Sequence, residues 1–140
     1  VKKYLLNKIN INKKQIFSMN IDKKNALLTS LDYSNKIKKY FNNKNIIFDL
    51  TLLGMGNDGH IASIFSDNLN IKLNEITYYV KRKDFDRITM SLKTINKSKN
   101  IYLWLNDKKK TKIFNLLKKS KKKIPVLYLN KNKTSIFKIQ

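Results

Sequence analysis

The chain has 140 residues, 31 of them Lys or Arg and 9 Asp or Glu, so its formal net charge is +22 at pH 7. This length suits one domain with its own core. The absence of cysteine excludes disulfides and Cys-based metal or redox sites, and a single histidine excludes two-histidine zinc patterns. No apolar run approaches the roughly 20 residues of a membrane span, and no signal-peptide pattern is present, so we expect a cytoplasmic protein with no membrane partner.

The positive charge has two interpretations. A nucleic-acid-binding protein uses basic residues to neutralise phosphates, whereas an A/T-rich genome enriches Lys, Asn and Ile and depletes Gly and Pro. The lysines are spread along the whole chain, and arginine is limited to Arg82 and Arg87, although base recognition favours arginine forks. We therefore favour the compositional origin and expect no specific nucleic-acid partner.

The first part of the chain predicts two helices and two strands. Apolar residues at 1, 4, 5 and 9 have helical spacing, and residues 15–19 are typical of a short strand. Asp22 is a suitable N-cap for a helix over about 23–42. Residues 46–54 are almost continuously apolar, which predicts a strand buried on both faces of a sheet.

The second part predicts strands over 76–82, 87–92 and 100–106, and then a lysine-rich helix over 108–119 capped by Asp107. We expect the buried face of this helix to contain Ile113, Leu116 and Leu117. Two apolar segments, 124–129 and 135–139, close the chain. The alternation of strands and helices predicts an α/β fold with a largely parallel sheet.

The three glycines of the chain, Gly54, Gly56 and Gly59, all lie within six residues directly before the single histidine. They follow the predicted strand 46–54, at the carboxyl end where open α/β sheets bind ligands. Glycine permits a positive φ and a close approach to a ligand, and the amides of such a loop can hold an anion. A Gly-x-Gly-x-x-Gly pattern alone is a weak signal.

The charged residues of this loop, Asp58 and His60, disfavour dinucleotide binding, even though Glu75 lies near the position of that motif's acidic residue. A lone histidine is most often a surface or core residue. Here a carboxylate two residues away can fix its tautomer, and an oriented neutral imidazole can take a proton from water. Ser63 lacks the Gly-x-Ser-x-Gly elbow of a nucleophile, so water is the preferred attacking group.

Residues 50–65, LTLLGMGNDGHIASIF, resemble the signature of the 6-phosphogluconolactonases, which belong to the glucosamine/galactosamine-6-phosphate isomerase superfamily. Three further segments agree in order and spacing: RITMSLKTIN at 87–96, IYLWLNDKKKTKIFNLL at 101–117 and IPVLYL at 124–129. The resemblance covers essentially the whole chain but only the later part of the family's sequence. It implies a modified Rossmann-like domain over residues 1–140, N-terminally truncated, with the first strands of the family absent.

The resemblance implies hydrolysis of 6-phospho-D-glucono-1,5-lactone to 6-phospho-D-gluconate, in the oxidative pentose phosphate pathway. His60 would act as general base on water, and Asp58 would orient its imidazole. Loop amides near Gly56 would face the oxyanion, and Arg87 and Lys110 would hold the phosphate. The implied substrate-binding set is Gly54, Gly56, Asn57, Gly59, Arg87 and Lys110. The reaction requires no metal or organic cofactor, and we expect a monomer whose partner is the sugar-phosphate lactone.

Several family features have no counterpart in this chain. The Gly-Gly-Ser phosphate loop and the Asp-Glu-Arg segment are missing, and residues 83–86 replace the prolines before Arg87. Ser66 stands at the proline after the Phe, and Asp107 stands at the turn glycine before the lysine-bearing helix. Because the phosphate loop is missing, an inactive relict of a lactonase is a competing hypothesis.

Glucosamine-6-phosphate deaminases have a similar glycine loop but a different chemistry. Their loop continues with Phe-Asn-Glu-Pro, which supplies a further carboxylate for ring opening. The corresponding residues 63–66 are Ser-Ile-Phe-Ser and carry no acid, which favours the lactonase. A basic nucleic-acid-binding protein is the competing hypothesis from another functional class, and binding at physiological salt would distinguish it.

Overall fold

The computed structural model describes residues 1–19, 25–70 and 74–138. Within these ranges, helices and strands follow in the order α1 Ala26–Tyr40, β1 Leu50–Gly54, β2 Thr77–Val80, β3 Arg87–Met90, α2 Leu92–Lys97, β4 Asn100–Leu105, α3 Lys108–Leu117 and β5 Thr134–Lys138. Short 3₁₀ turns lie at Leu6–Lys8, Lys13–Gln15, Pro125–Tyr128 and Lys131–Lys133. No helix in the described ranges combines the length and the apolar character that crossing a bilayer requires.

A three-stranded parallel sheet of order β1-β4-β5 forms the centre of the fold. Parallel neighbours need long crossovers. Helix α3 lies between β4 and β5 in the chain, and the segment β2-β3-α2 lies between β1 and β4. This arrangement confirms the predicted α/β class with a largely parallel sheet flanked by helices.

The core lies on one face of this sheet. Ile101, Leu103 and Leu105 alternate along β4 and are almost completely buried. They pack with Phe114 of α3 and with Ile95 of α2 in one hydrophobic cluster. The period-2 alternation of β4 therefore selects which residues face the helices.

The opposite face of the sheet is an exposed apolar surface, and the prediction that residues 46–54 are buried on both faces is wrong. Leu52 is 66% exposed and Trp104 is 54% exposed. The Trp104 ring stacks on Phe137 with 5.6 Å between ring centroids. We call the surface of Leu50, Leu52, Trp104 and Phe137 the outer apolar face. It is exposed because no helix in the described part of the chain covers this side of the sheet.

Strands β2 and β3 form a separate antiparallel hairpin that packs against α1. Buried hydroxyl groups join the two parts: the Oγ of Ser34 lies 2.7 Å from Oγ1 of Thr77, which donates to the carbonyl of Ser30 at 2.8 Å. The loop between the two strands, residues 81–86, lies beside the glycine loop. The hairpin is thus a second platform next to the parallel sheet.

The predicted elements before residue 26 need correction. The helix expected over 1–9 is only the short turn Leu6–Lys8, and residues 16–19 form no strand. Helix α1 begins at Ala26, where the side chain of Asn25 accepts a hydrogen bond from the Leu28 amide at 2.9 Å. Asp22, the predicted cap, lies outside the described residues.

Two helices near the hairpin and sheet also differ from expectation. Residues Leu92–Lys97 form α2, because the Ser91 hydroxyl accepts from the Thr94 amide and starts a helix directly after β3. On α3, Phe114 is 4% exposed, whereas Leu116 is 68% exposed, so the predicted burial of Leu116 is wrong. The stripe that faces the sheet runs through Ile113, Phe114 and Leu117, and Leu116 lies off it.

Candidate active site

The glycine loop leaves the carboxyl end of β1 and is fixed by residues buried in the core. Met55, Ile61 and Ile64 are all buried, and the last two exchange backbone hydrogen bonds of 3.3 Å and 2.9 Å. Between these anchors, the Gly56 amide donates to the His60 carbonyl at 2.9 Å, and the Gly59 amide donates to the Gly56 carbonyl at 3.0 Å. The loop is therefore a tight, hydrogen-bonded turn that carries residues 57–60.

The three glycines differ in what surrounds them, and two of them are constrained. Gly59 has a φ of +83°, and a Cβ there would lie 2.3 Å from Cγ2 of Ile124. A Cβ on Gly56 would lie 2.2 Å from Nδ1 of His60 and 2.8 Å from Oδ1 of Asp58. Gly54 has no atom within 4 Å of that position. Gly59 thus serves the packing of the loop, and Gly56 makes room for the imidazole.

Asp58 and His60 form a short polar pair. Oδ1 of Asp58 lies 2.6 Å from Nδ1 of His60 and also accepts from the His60 amide at 3.2 Å. Partial burial raises the pKa of Asp58, but the hydrogen bonds from the His60 backbone and ring outweigh it, so the pKa is lowered from its ordinary value. A carboxylate only accepts hydrogen bonds, so Nδ1 carries the proton and Nε2 keeps a lone pair. That lone pair can accept a proton.

Phe65 is the aromatic platform of the site. The His60 ring packs on it with 4.4 Å between centroids. The guanidinium carbon of Arg82 lies 3.9 Å from the same ring centroid, and that of Arg87 lies 5.4 Å from it. One buried ring therefore sets the relative positions of the imidazole and of both arginines in the chain.

These side chains line a cleft of about 900 Å³ between the glycine loop and the loop of the β2–β3 hairpin. Nη1 of Arg82 lies 2.6 Å from Oδ2 of Asp67, and Arg87 forms an ion pair with Asp84. The Phe85 amide and the Arg87 guanidinium lower the pKa of Asp84. Among the described side chains, Nε of Arg87 is the one buried polar atom without a hydrogen-bond partner.

Lys110 lines a different cleft, of about 550 Å³, on the other side of the glycine loop. It lies in the first turn of α3, where Oδ1 of Asp107 accepts from its amide at 2.6 Å. Its Nζ donates to the Met55 carbonyl at 2.6 Å. The two clefts share Asn57 and His60, so Arg87 and Lys110 approach the histidine from separate sides.

The residues of the site that no motif indicates are Asp67, Arg82 and Asp84, whereas Phe65 ends the signature at 50–65 but had no predicted role. One signal for Arg82 exists in the sequence, since it is one of only two arginines in a chain whose basic residues are otherwise lysine. Asn96, which matches an asparagine of the resemblance, makes structural contacts instead. Its Nδ2 donates to the Tyr128 carbonyl and its Oδ1 accepts from the Asn130 amide, both at 2.8 Å.

Comparisons with known proteins concern the family and the fold of the chain. A probable 6-phosphogluconolactonase of Dictyostelium discoideum is 37% identical over 93 residues, which is 63% of this chain and 39% of that protein. Probable 6-phosphogluconolactonase 1 of Arabidopsis thaliana is 32% identical over 110 residues, which is 69% of this chain and 41% of that protein. The solved structure of 6-phosphogluconolactonase from Plasmodium vivax has a TM-score of 0.79 at 25% identity, and the match covers 96% of this chain and 59% of that one.

These two matches cover about two thirds of this chain but a smaller share of each relative. The chain spans about two fifths of the length of the curated relatives it matches. The family described as glucosamine-6-phosphate isomerases/6-phosphogluconolactonase matches residues 1–137, which is nearly the whole chain. A match of this extent shows membership. The chain belongs to the glucosamine-6-phosphate isomerase/6-phosphogluconolactonase family.

Proposed function

We propose that this chain hydrolyses 6-phospho-D-glucono-1,5-lactone to 6-phospho-D-gluconate. The observation that carries the proposal is the 2.6 Å contact between Asp58 and His60 at the mouth of a cleft that also holds two arginines. It supplies an oriented base and binding groups for a phosphorylated substrate. The names of the curated relatives support the same reaction.

The proposed chemistry begins with water. Nε2 of His60 removes a proton as the water oxygen bonds to the lactone carbonyl carbon, and Asp58 stabilises the imidazolium through Nδ1–H. When the tetrahedral intermediate collapses, the bond between the carbonyl carbon and the ring oxygen breaks. Nε2–H then gives its proton to that oxygen, which becomes a hydroxyl group. The product is the open-chain acid, and His60 is neutral again.

The developing oxyanion needs hydrogen-bond donors that are free. The Gly56 amide is already bonded to the His60 carbonyl. We assign the donor role to the backbone amide of Asn57, the loop residue that lines both clefts beside His60. The donor to the oxyanion, expected among the loop amides near Gly56, is thus assigned one residue further along the chain.

The phosphate belongs in the cleft of Arg87, where a guanidinium fork suits phosphate oxygens. Because Lys110 lines the other cleft and holds the Met55 carbonyl, we assign it to the opposite side of the loop, where its ammonium faces the lactone end of the substrate. The shared position of His60 between the clefts supports this division. A deaminase would need a further carboxylate, and the first acid after the loop, Asp67, is paired with Arg82.

The test is hydrolysis of freshly generated lactone, with the spontaneous rate subtracted. Wild-type chain should accelerate the reaction, and His60→Ala should reduce the rate by about 10²–10⁴-fold, the size of a general acid–base contribution. Lys99→Ala is the matched control, because Lys99 lies in an exposed ion pair with Asp49 and lines neither cleft.

Equal rates for wild type and His60→Ala, or no acceleration by either, would contradict the proposal. Thermal melting of both variants separates a lost base from a lost fold. Release of ammonia from glucosamine 6-phosphate would instead favour a deaminase. Binding of unrelated DNA that persists at physiological salt would favour a nucleic-acid-binding protein.

A further inference from the structure

The loop of the β2–β3 hairpin carries a second guanidinium group into the cleft of His60. Arg82 follows β2, and Arg87 opens β3, so the two side chains leave opposite ends of one short loop. Both contact the Phe65 ring, which also packs against His60. The spacing between the two guanidinium groups and the imidazole is therefore set by one buried aromatic residue.

Charges in this cleft are close to balanced. Four cations line it, Lys81, Arg82, Lys83 and Arg87, together with three carboxylates, Asp58, Asp67 and Asp84. Two of the carboxylates pair with the arginines, but their side chains are mostly exposed, at 66% for Asp67 and 54% for Asp84. Exposed pairs of this kind contribute little net energy, so a dianion that offers several oxygens can displace them.

We propose that Arg82 binds the phosphate of the substrate together with Arg87, and that Asp67 pairs with the Arg82 guanidinium until the phosphate displaces the carboxylate. This inference rests on the proposed function for the identity of the substrate. Stacking on Phe65 leaves the edge of the guanidinium free for in-plane hydrogen bonds, which is the geometry that recognises phosphate oxygens. Arg87 lines the same cleft, and its buried Nε has no hydrogen-bond partner within the described part of the chain.

The test is calorimetric titration of the chain with 6-phosphogluconate. Arg82→Met is the main variant, because methionine keeps an apolar contact with Phe65 and removes the charge and the donors. Its dissociation constant should rise at least about tenfold, as expected when charge-assisted hydrogen bonds are lost. Inorganic phosphate should compete with 6-phosphogluconate for wild type and compete much less for Arg82→Met.

The matched control is Lys99→Ala, which removes the same charge from an exposed ion pair with Asp49 just before β4. It should bind as wild type does. An equal loss in Arg82→Met and Lys99→Ala, unchanged binding by Arg82→Met, equal competition by phosphate, or no binding by wild type would each overturn the proposal. A wild-type chain that binds 6-phosphogluconate through Arg82 without hydrolysing the lactone would contradict the catalytic proposal alone.

Discussion

At the level of single residues, the glycine loop shows why a chain with three glycines places all of them beside its histidine. Gly59 meets a positive φ and a core contact, whereas Gly56 leaves the space that the imidazole occupies. Glycine therefore serves folding at residue 59 and the geometry of the site at residue 56. Gly54 has neither constraint.

Three alanine substitutions separate these roles. Gly56→Ala should leave the melting temperature nearly unchanged and lower kcat by about 10²-fold or more, because the new methyl group displaces His60 from Asp58. Gly59→Ala should lower the free energy of unfolding by about 2–4 kcal/mol, from backbone strain and the clash with Ile124. Gly54→Ala should leave the free energy of unfolding unchanged, because a methyl group there meets no atom within 4 Å. Thermal melting and lactonase assays of the three variants check this, and a loss of stability in Gly56→Ala as large as that in Gly59→Ala would contradict it.

The pair of Asp58 and His60 also affects how the stability of the chain depends on pH. Since the pKa of Asp58 is lowered from its ordinary value, the carboxylate persists below the pH at which a free aspartate is protonated. A group with a lowered pKa contributes stability above its unfolded-state pKa and loses it as the pH falls through the folded value. The contact therefore holds the Nδ1–H tautomer across the neutral range.

Among the elements of the fold, the β2–β3 hairpin connects α1 to the cleft. Buried hydroxyl groups of Ser34 and Thr77 join it to α1, and its loop presents Arg82 and Arg87. Any loss of hairpin packing should therefore be measurable through a half-buried group of the hairpin. Tyr78, whose partner across the hairpin is Thr89, is such a group.

Tyr78 provides a pH test of that packing. Burial raises the pKa of Tyr78 to about 12. The unfolded chain therefore loses this phenolic proton before the folded chain does, so stability is full below the unfolded-state pKa of 10.0 and falls as the pH rises toward 12. Denaturant unfolding at pH 9 and pH 11.5 should show a larger loss of stability for wild type than for Tyr78→Phe. The many lysines affect both proteins alike, so parallel losses would show that Tyr78 is not buried in solution.

Helix α2 is started by a local capping residue and is held in place by long-range hydrogen bonds. Ser91 starts the helix, and Asn96 ties it to the segment 124–130 through two hydrogen bonds. That segment in turn packs Ile124 and Val126 into the core, where Ile124 lies against Gly59. The asparagine thus supports the glycine loop from a distance.

For the molecule as a whole, the main feature is the outer apolar face. Parallel sheets almost always have both faces covered, yet Leu52 and Trp104 are more than half exposed. Strand β1 also has a free edge within the described part of the chain. An apolar face beside a free strand edge favours association with another chain, so the expectation of a monomer needs a direct test.

The residues 1–140 by themselves should associate through this face. Leu52→Lys should shift sedimentation toward the monomer and change the free energy of unfolding by less than about 0.5 kcal/mol, since it replaces an exposed side chain. Leu28→Lys, at an exposed apolar position on α1, is the matched control. Analytical ultracentrifugation measures both. Equal effects of the two substitutions, or monomers for wild type at high concentration, would contradict this prediction.

Features that depend on residues close together in the chain could be predicted from the sequence. Asp58 and His60 lie two residues apart in one glycine turn, so their contact follows from local geometry, and the order of apolar segments is enough to indicate an α/β fold. Capping by Asp107 was predictable for the same reason, because the side chain bonds to an amide three residues away.

Features that depend on how elements pack required the tertiary structure. The layers that pack on β1 decide which of its faces is buried. The packing of α3 on the sheet likewise decides that Phe114 faces the sheet and Leu116 does not. The contact of Arg82 with Phe65 joins residues of separate elements, and the placement of Arg87 and Lys110 in different clefts depends on the hairpin and α3 lying on two sides of one loop. Periodicity along the chain carries information about one element at a time, whereas these contacts are set by the docking of several.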